Sequence, residues 1–337
     1  MVFFQVIIGG ITRLTGSGLS ITEWDIVFGT FPPLSADAWQ VEFDKYVATP
    51  QYQKINEGMS MSEFKFIYFW EYFHRLWARL MGFVFAIPFA FFLFKKWLSK
   101  KQILQLIGVV VGASIVASFG WIMVASGLEE IPWVSPYKLT MHLSLAILLF
   151  CYLLWLTFDY LRGEGNWIKV DPGLKKVTIA ITVLLFIQIM LGGLMSGMKA
   201  GLAAPTWPDI NGSMAPEQVA LENWTAESFT NYFYDAEGKA KLIVQFCHRN
   251  LAYIVFALLI WVFFVLRRRA VNGGLKSSLL LIPGIALAQV LLGIITLIKC
   301  KGIVPVSWGV AHQGVAILLL GTMIWAIYHL FTSRARA

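Results

Sequence analysis

Apolar residues run along this chain in long unbroken blocks. Seven blocks, near 66–94, 103–126, 138–160, 177–198, 243–266, 278–299 and 309–331, each reach the length a helix needs to cross a bilayer, about 20 residues. An eighth block, 1–12, comes first and is too short to span. It reads as the outer half of a helix whose start lies upstream. Its opening, Met1-Val2-Phe3-Phe4, has no basic leader and is not that of a signal peptide. The predicted fold class is all-α: a polytopic membrane protein of eight transmembrane helices, the first truncated.

Composition supports lipid as the solvent. Apolar residues make up 58% of the 337 and charged residues 14%, with a mean hydropathy of +0.69. A soluble domain is about 25% charged, so this chain has too few polar groups to cover a water-facing surface. The net charge of +8 would suggest nucleic acid only if the basic residues formed a patch. They form short clusters between apolar blocks instead, and nucleic acid is excluded as a partner. Cys151, Cys247 and Cys300 contain no CxxC pair, so neither a disulfide framework nor a zinc site is expected.

The basic clusters set the orientation. Lys95, Lys96, Lys100 and Lys101 follow the second block, and Arg162, Lys169, Lys175 and Lys176 follow the fourth. Arg267, Arg268, Arg269 and Lys276 follow the sixth, and Arg334 and Arg336 close the chain. All fall on one side, the cytoplasm or its mitochondrial equivalent. The opposite side carries two long loops, 13–65 and 199–242, rich in acidic residues and tryptophan. They show no obvious helices, and loops of that length are often functional.

The chain repeats internally. Gln5-Val6-Ile7-Ile8-Gly9-Gly10 matches Gln188-Ile189-Met190-Leu191-Gly192-Gly193, and Gly18-Leu19 matches Gly201-Leu202 at the same offset. His74-Arg75 then matches His248-Arg249, and His142 matches His312. Residues 1–165 and 166–337 are therefore read as two four-helix halves. An even number of spans per half makes both face the same way, related by a pseudo-twofold axis along the membrane normal.

That repeat places all four histidines at similar depth, one or two turns inside the outer interface. An intramembrane ionisable residue is a functional candidate by default. A lone one is more often a satisfied interhelical hydrogen bond; two repeat-related pairs point to a ligand. A bare zinc or copper ion wants more donors than two imidazoles. A porphyrin brings four nitrogens of its own, so one or two axial histidines suffice, and facing helices of a four-helix bundle suit such a site. Arg75 and Arg249 are candidates to pair with propionates; their alternative is snorkelling to the interface. His329 has no repeat partner and reads as an interface residue.

One polar difference separates the halves. Glu71 lies one helical turn before His74, where the second half has Gln245 before His248. A carboxylate beside one site and an amide beside the other suggests that only one site does chemistry. The alternative is an ion pair between Glu71 and Arg75.

These residues carry a family resemblance. Gly9-Gly10-Ile11-Thr12-Arg13-Leu14-Thr15-Gly16-Ser17-Gly18-Leu19-Ser20, with Glu23-Trp24, resembles the first-loop signature of haem A synthase. Glu71-Tyr72-Phe73-His74-Arg75 resembles that family's second-helix motif. His142, Cys247-His248-Arg249 and His312 match its remaining histidine positions, and Thr206-Trp207-Pro208 resembles its second long loop. The resemblance covers nearly the whole chain. It implies oxidation of the C8 methyl of haem O to a formyl group, giving haem A for cytochrome oxidase. It also implies a haem b cofactor whose iron is held by His248 and His312. The substrate haem would sit in the N-terminal half with His74, His142 and Glu71, the first two at its iron. Loop 13–65 has no cysteine, which matches the class without a first-loop cysteine pair, of proteobacterial and mitochondrial type. The implied setting is a bacterial inner membrane, with the mitochondrial inner membrane as alternative. Haem O synthase and an electron acceptor are the implied partners, and a homo-oligomer is compatible. The competing readings are a di-haem b-type electron-transfer cytochrome, which has no need of the Glu71/Gln245 difference, and a haem carrier that binds without reacting.

Overall fold

The computed structural model describes residues 1–23, 31–128, 132–161, 172–233, 237–268 and 273–331. Trp24, Arg162, Lys169, Arg269, Arg334 and Arg336 lie outside them, as does the expected 165/166 boundary. Seven described helices are long and apolar enough to cross a membrane: α4 (Met61–Phe94), α5 (Lys100–Ala125), α6 (Pro136–Tyr160), α7 (Pro172–Gly197), α9 (Lys239–Arg267), α10 (Gly273–Ile298) and α11 (Val306–Phe331). The first apolar block is the shorter helix α1 (Val2–Leu14). The protein is thus an all-helical, multi-pass membrane protein. Helices are the form expected here, since an open backbone has no hydrogen-bond partners in lipid.

The chain divides into two compact units, Met1–Leu149 and Phe150–Ala337. In the first, α1 packs on α4. Gly16, at φ +72°, ends α1. The amide of Ser17 donates to Thr12 O (2.9 Å) and that of Gly16 to Arg13 O (3.3 Å), the paired bonds of a Schellman turn, which needs a left-handed residue at its centre.

The loop expected to lack helices contains two, α2 (Ala36–Val47) and α3 (Pro50–Ile55). Their apolar faces are short and aromatic, a weaker periodic signal than a span. They fold because α4 gives them a surface. At about 1.5 Å per residue, its 34 residues run well beyond the roughly 30 Å hydrocarbon core. The N-terminal turns of α4 bury Phe64, Ile67 and Tyr68 against Tyr46, with Trp39, Phe43 and Tyr52 around them. A buried aromatic of this kind contributes about 1.5–3 kcal/mol. Gln51 then donates to Gly16 O (3.1 Å), tying this small aromatic cluster to the end of α1.

In the second unit α7, α9, α10 and α11 pack as a bundle, with α10–α11 and α7–α9 the most extensive pairs. The end of α6 joins this unit: Trp155 and Phe158 make ring contacts with Tyr328 of α11. The loop from 199 onward holds three short 3-10 turns and a helix, α8 (Ala226–Thr230). Its Ala204, Ile210 and Val219 pack on Leu242 and Ile243 at the start of α9.

Candidate functional site

The four repeat-related histidines fall on α4, α6, α9 and α11, and each unit brings its own two into electrostatic range of one another, His74 with His142 and His248 with His312. Each ring rests against a glycine of another helix. A Cβ added at Gly9 of α1 would lie 3.0 Å from His74 Nε2, and one at Gly120 of α5 3.0 Å from His142 Cε1. In the second unit, a Cβ at Gly192 of α7 would lie 3.3 Å from His248 Cε1, and one at Gly293 of α10 2.8 Å from His312 Cε1. The glycines at 9 and 192 are visible as a repeat in the sequence. Their contact with the histidines is not, and Gly120 and Gly293 escape notice there because both are single glycines inside apolar blocks.

The hydrogen bonds set the ring states. His142 Nδ1 lies 3.0 Å from Val116 O, and His312 Nδ1 lies 3.1 Å from Gln289 O. A carbonyl only accepts, so Nδ1 carries the hydrogen in both rings and Nε2 keeps its lone pair. That is the tautomer in which an imidazole binds a metal through Nε2 while its other nitrogen is anchored. On the partner helices the anchoring differs. Gln5 Nε2 donates to the backbone O of His74 (3.1 Å), and Gln188 Nε2 to that of His248 (2.9 Å), the latter also lying 3.1 Å from His248 Nδ1 and 3.3 Å from its Nε2. The Oε1 atoms of Gln5, Gln188 and Gln289 are buried without a hydrogen-bond partner, which is costly unless something else occupies the site. His329, the fifth histidine, accepts from Trp325 Nε1 (2.9 Å) and takes no part in either pair.

Glu71 is 3% exposed. Its Oε2 accepts from Ser20 Oγ (2.8 Å) and from the amide of Ile21 (2.9 Å). Its Oε1 accepts from Arg75 Nη2 at 2.6 Å, so the ion pair weighed as an alternative is formed. The matching Gln245 is fully buried and reverses the polarity of the contact. Its Nε2 donates to Ala204 O (2.8 Å) and its Oε1 is left without a partner.

Both arginines grip the long loops. Arg75 donates to Ile21 O (3.0 Å) and Glu23 O (2.9 Å). Arg249 Nη2 donates to Thr206 O (2.6 Å) and Asp209 O (2.9 Å), leaving Nη1 buried without a hydrogen-bond partner. Neither arrangement is a snorkelling side chain. Asp209 in turn accepts the Gly212 amide at 2.9 Å, and that bond holds its carboxyl below the usual range.

Among known proteins, the family model described as cytochrome oxidase assembly protein matches residues 1–324. The chain is 40% identical over 336 residues to the haem A synthase of Nitrosospira multiformis, covering 98% of this chain and 90% of that one. It is 39% identical over 335 residues to that of Flavobacterium psychrophilum, covering 97% and 94%. It is 41% identical over 324 residues to that of Methylobacterium nodulans, covering 95% and 86%. Similarity of this extent, running through both histidine pairs and both clamped loops, makes the chain a member of the haem A synthase family of cytochrome oxidase assembly proteins, which are enzymes.

Proposed function

We propose that this protein is an oxidoreductase that converts the C8 methyl of haem O to a formyl group in a bacterial inner membrane, with a haem b held in its second unit. The observation that carries this reading is the matched pair of glycine-backed histidines in each unit, combined with the single polar mismatch, Glu71 against Gln245.

The residues fit the groups assigned to them. His248 and His312 lie in the same unit, and His312 carries its hydrogen on Nδ1, so that Nε2, beside the Gln289 amide, keeps the lone pair an iron would take. Arg249 Nη1 is the remaining donor for a propionate, while Nη2 holds the loop. When bound, haem b supplies a one-electron path away from the substrate unit. His74 and His142 are the pair for the iron of the substrate haem O. Glu71 is the acid–base candidate at that site and Arg75 its partner; together they fasten the loop carrying Ser20 and Ile21. A loop so held keeps the carboxylate at a fixed position. The family's reaction also calls for an enzyme that supplies haem O, an acceptor for the electrons, and a bilayer through which a farnesylated substrate arrives; association with haem O synthase or into a homo-oligomer is compatible with this.

Pyridine haemochrome spectra of the purified protein, taken before and after haem O is supplied with an oxidant, test the proposal. Haem O should disappear, haem A should appear, and haem b should stay constant. Two b-type haems and no conversion would instead identify a di-haem electron-transfer cytochrome.

A further inference from the structure

The histidines rest on a device that recurs on four helices. In α1, α5, α7 and α10 the contacting glycine is preceded four residues earlier by Gln5, Val116, Gln188 and Gln289 respectively. That spacing puts both residues on one helix face. In an α-helix the carbonyl four residues back bonds to the amide of the later residue, and the later residue's side chain shields it from neighbours. Glycine removes that shield. In α5 and α10 the uncovered carbonyl, of Val116 and of Gln289, is the one that faces histidine Nδ1 at 3.0 and 3.1 Å. In α1 and α7 the ring lies against the glycine, while the glutamine amide one turn earlier reaches the histidine backbone and, in α7, the His248 ring as well.

We propose that Gly9, Gly120, Gly192 and Gly293 are positioning residues for the four haem-facing histidines, each opening one helical turn so that an imidazole can lie directly on the backbone. In α5 and α10 the opening also exposes the carbonyl that fixes the ring's tautomer. This rests on the reading of the histidines as iron ligands. It predicts different seats for the ligands: His142 and His312 are locked through Nδ1 to a backbone carbonyl, whereas the His248 ring meets the Gln188 side-chain amide and His74 rests on Gly9. The ordinary role of such glycines is close helix packing, and that role predicts lost stability without any change at the iron.

The protein supplies its own controls. Added Cβ atoms at Gly284, also in α10, and at Gly82, in α4, would meet nothing within 4 Å. At Gly293 the Cβ would stand 2.8 Å from a ring that is hydrogen-bonded to the same helix, so the ring must move and its bond to Gln289 O must stretch.

The experiment uses the protein carrying its resident haem b, in five variants: Gly293→Ala, Gly192→Ala, Gly120→Ala, Gly284→Ala and His312→Ala. The readouts are the Soret and low-spin signals, the midpoint potential, and the rate of haem transfer to apomyoglobin. Gly284→Ala should match the wild type and melt no earlier, since alanine is the better helix former. Gly293→Ala should shift the low-spin signal and speed haem transfer by about 10–100-fold, the usual cost of disturbing a group that orients a metal ligand. Gly192→Ala should shift the signal in a smaller degree. Should Gly293→Ala fail to accumulate, Gly192→Ala carries the same test: a shifted signal supports the proposal, and a wild-type one overturns it. Gly120→Ala should slow haem O conversion and leave the haem b signals alone. If Gly293→Ala keeps the wild-type spectrum, potential and transfer rate while His312→Ala loses haem b, the seat is wrong and the ligand reading stands. Retention of haem b by His312→Ala would overturn both.

Discussion

The two units share a plan and differ in how much of it they close. In the second, α11 buries Gly314, Ala316, Ile317, Leu319, Leu320, Thr322, Met323 and Ala326 among others, a continuous face packed on α10 and α7. In the first, α4 buries only Phe64, Ile67, Tyr68 and Glu71, all in its N-terminal third. Its C-terminal length leaves Phe83, Val84, Ile87 and Phe91 exposed. Lipid tails are as apolar as a protein core, so such a face costs little in a membrane. A closed bundle suits a group that stays; an open one suits a lipid-like molecule that must enter and leave. The same contrast appears at the sites, where the open unit has the charged Glu71–Arg75 pair and the closed unit has Gln245.

The largest test of this contrast is removal of the histidines. His248→Ala and His312→Ala should each abolish bound haem b. His74→Ala and His142→Ala should keep it and abolish haem A formation, as pyridine haemochrome spectra of all four variants would show. Identical behaviour of the four would end the distinction between a resident and a substrate unit.

Next in size is Glu71→Gln. The amide cannot accept from Ser20, Ile21 and Arg75 together, nor change charge. Haem A formation should fall by about 10²–10⁴-fold, the usual loss for an acid–base group, with haem b unchanged in the spectrum. Ser20→Ala separates chemistry from loop fastening, because it removes one donor to the carboxylate, worth about 1.5–3 kcal/mol. If Ser20→Ala reproduces the whole of the Glu71→Gln defect, the carboxylate acts by holding the loop.

The clamps come third. Arg75→Lys and Arg249→Lys replace a planar fork with a point charge that cannot span two carbonyls. Each should make its own loop several-fold more sensitive to protease and leave the other loop unaffected. Cross-sensitivity would mean the two loops are not held independently.

A smaller effect is expected at the outer end of α4, where Ser60 and Glu63 form a reciprocal capping box. Ser60→Ala should cost about 1 kcal/mol, visible as a lowered melting temperature of the outer cluster with the haem spectrum intact.

The smallest effect concerns pH in the second loop. The Asp209 carboxyl is held below its ordinary value, chiefly by the Gly212 amide. A depressed carboxyl stabilises the fold above its unfolded pKa and loses that contribution as pH falls through the folded one. Proteolysis of the second loop should therefore be flat from pH 8 to about 5 and rise only below about 4, near the ordinary aspartate value. A rise near neutrality would place the sensitivity in another group.

Much of the site was legible in the residues alone. The four histidines, their pairing and the Glu71/Gln245 mismatch all follow from the repeat, because each lies at a recognisable distance from a span's start. The loop helices α2, α3 and α8 were missed; in α2, Trp39, Phe43 and Tyr46 become an apolar face only beside the N-terminal turns of α4. The arginines were expected at propionates or at the interface, and the structure adds loop carbonyls as partners that no side-chain pattern advertises.

By itself the sequence determined the spans, their number and the repeat. The reason is solvent: a backbone in lipid has to satisfy its own hydrogen bonds, so each crossing is an uninterrupted apolar helix that can be read locally. Only the tertiary structure decided what the histidines lean on. Gly9 meets His74 across 65 positions of chain, and Glu71 meets Ser20 across 51. Those meetings depend on how each helix is rotated about its axis and where each loop folds back. Neither is written in periodicity, because the four helix faces that carry the glycines look from sequence like any other apolar stretch.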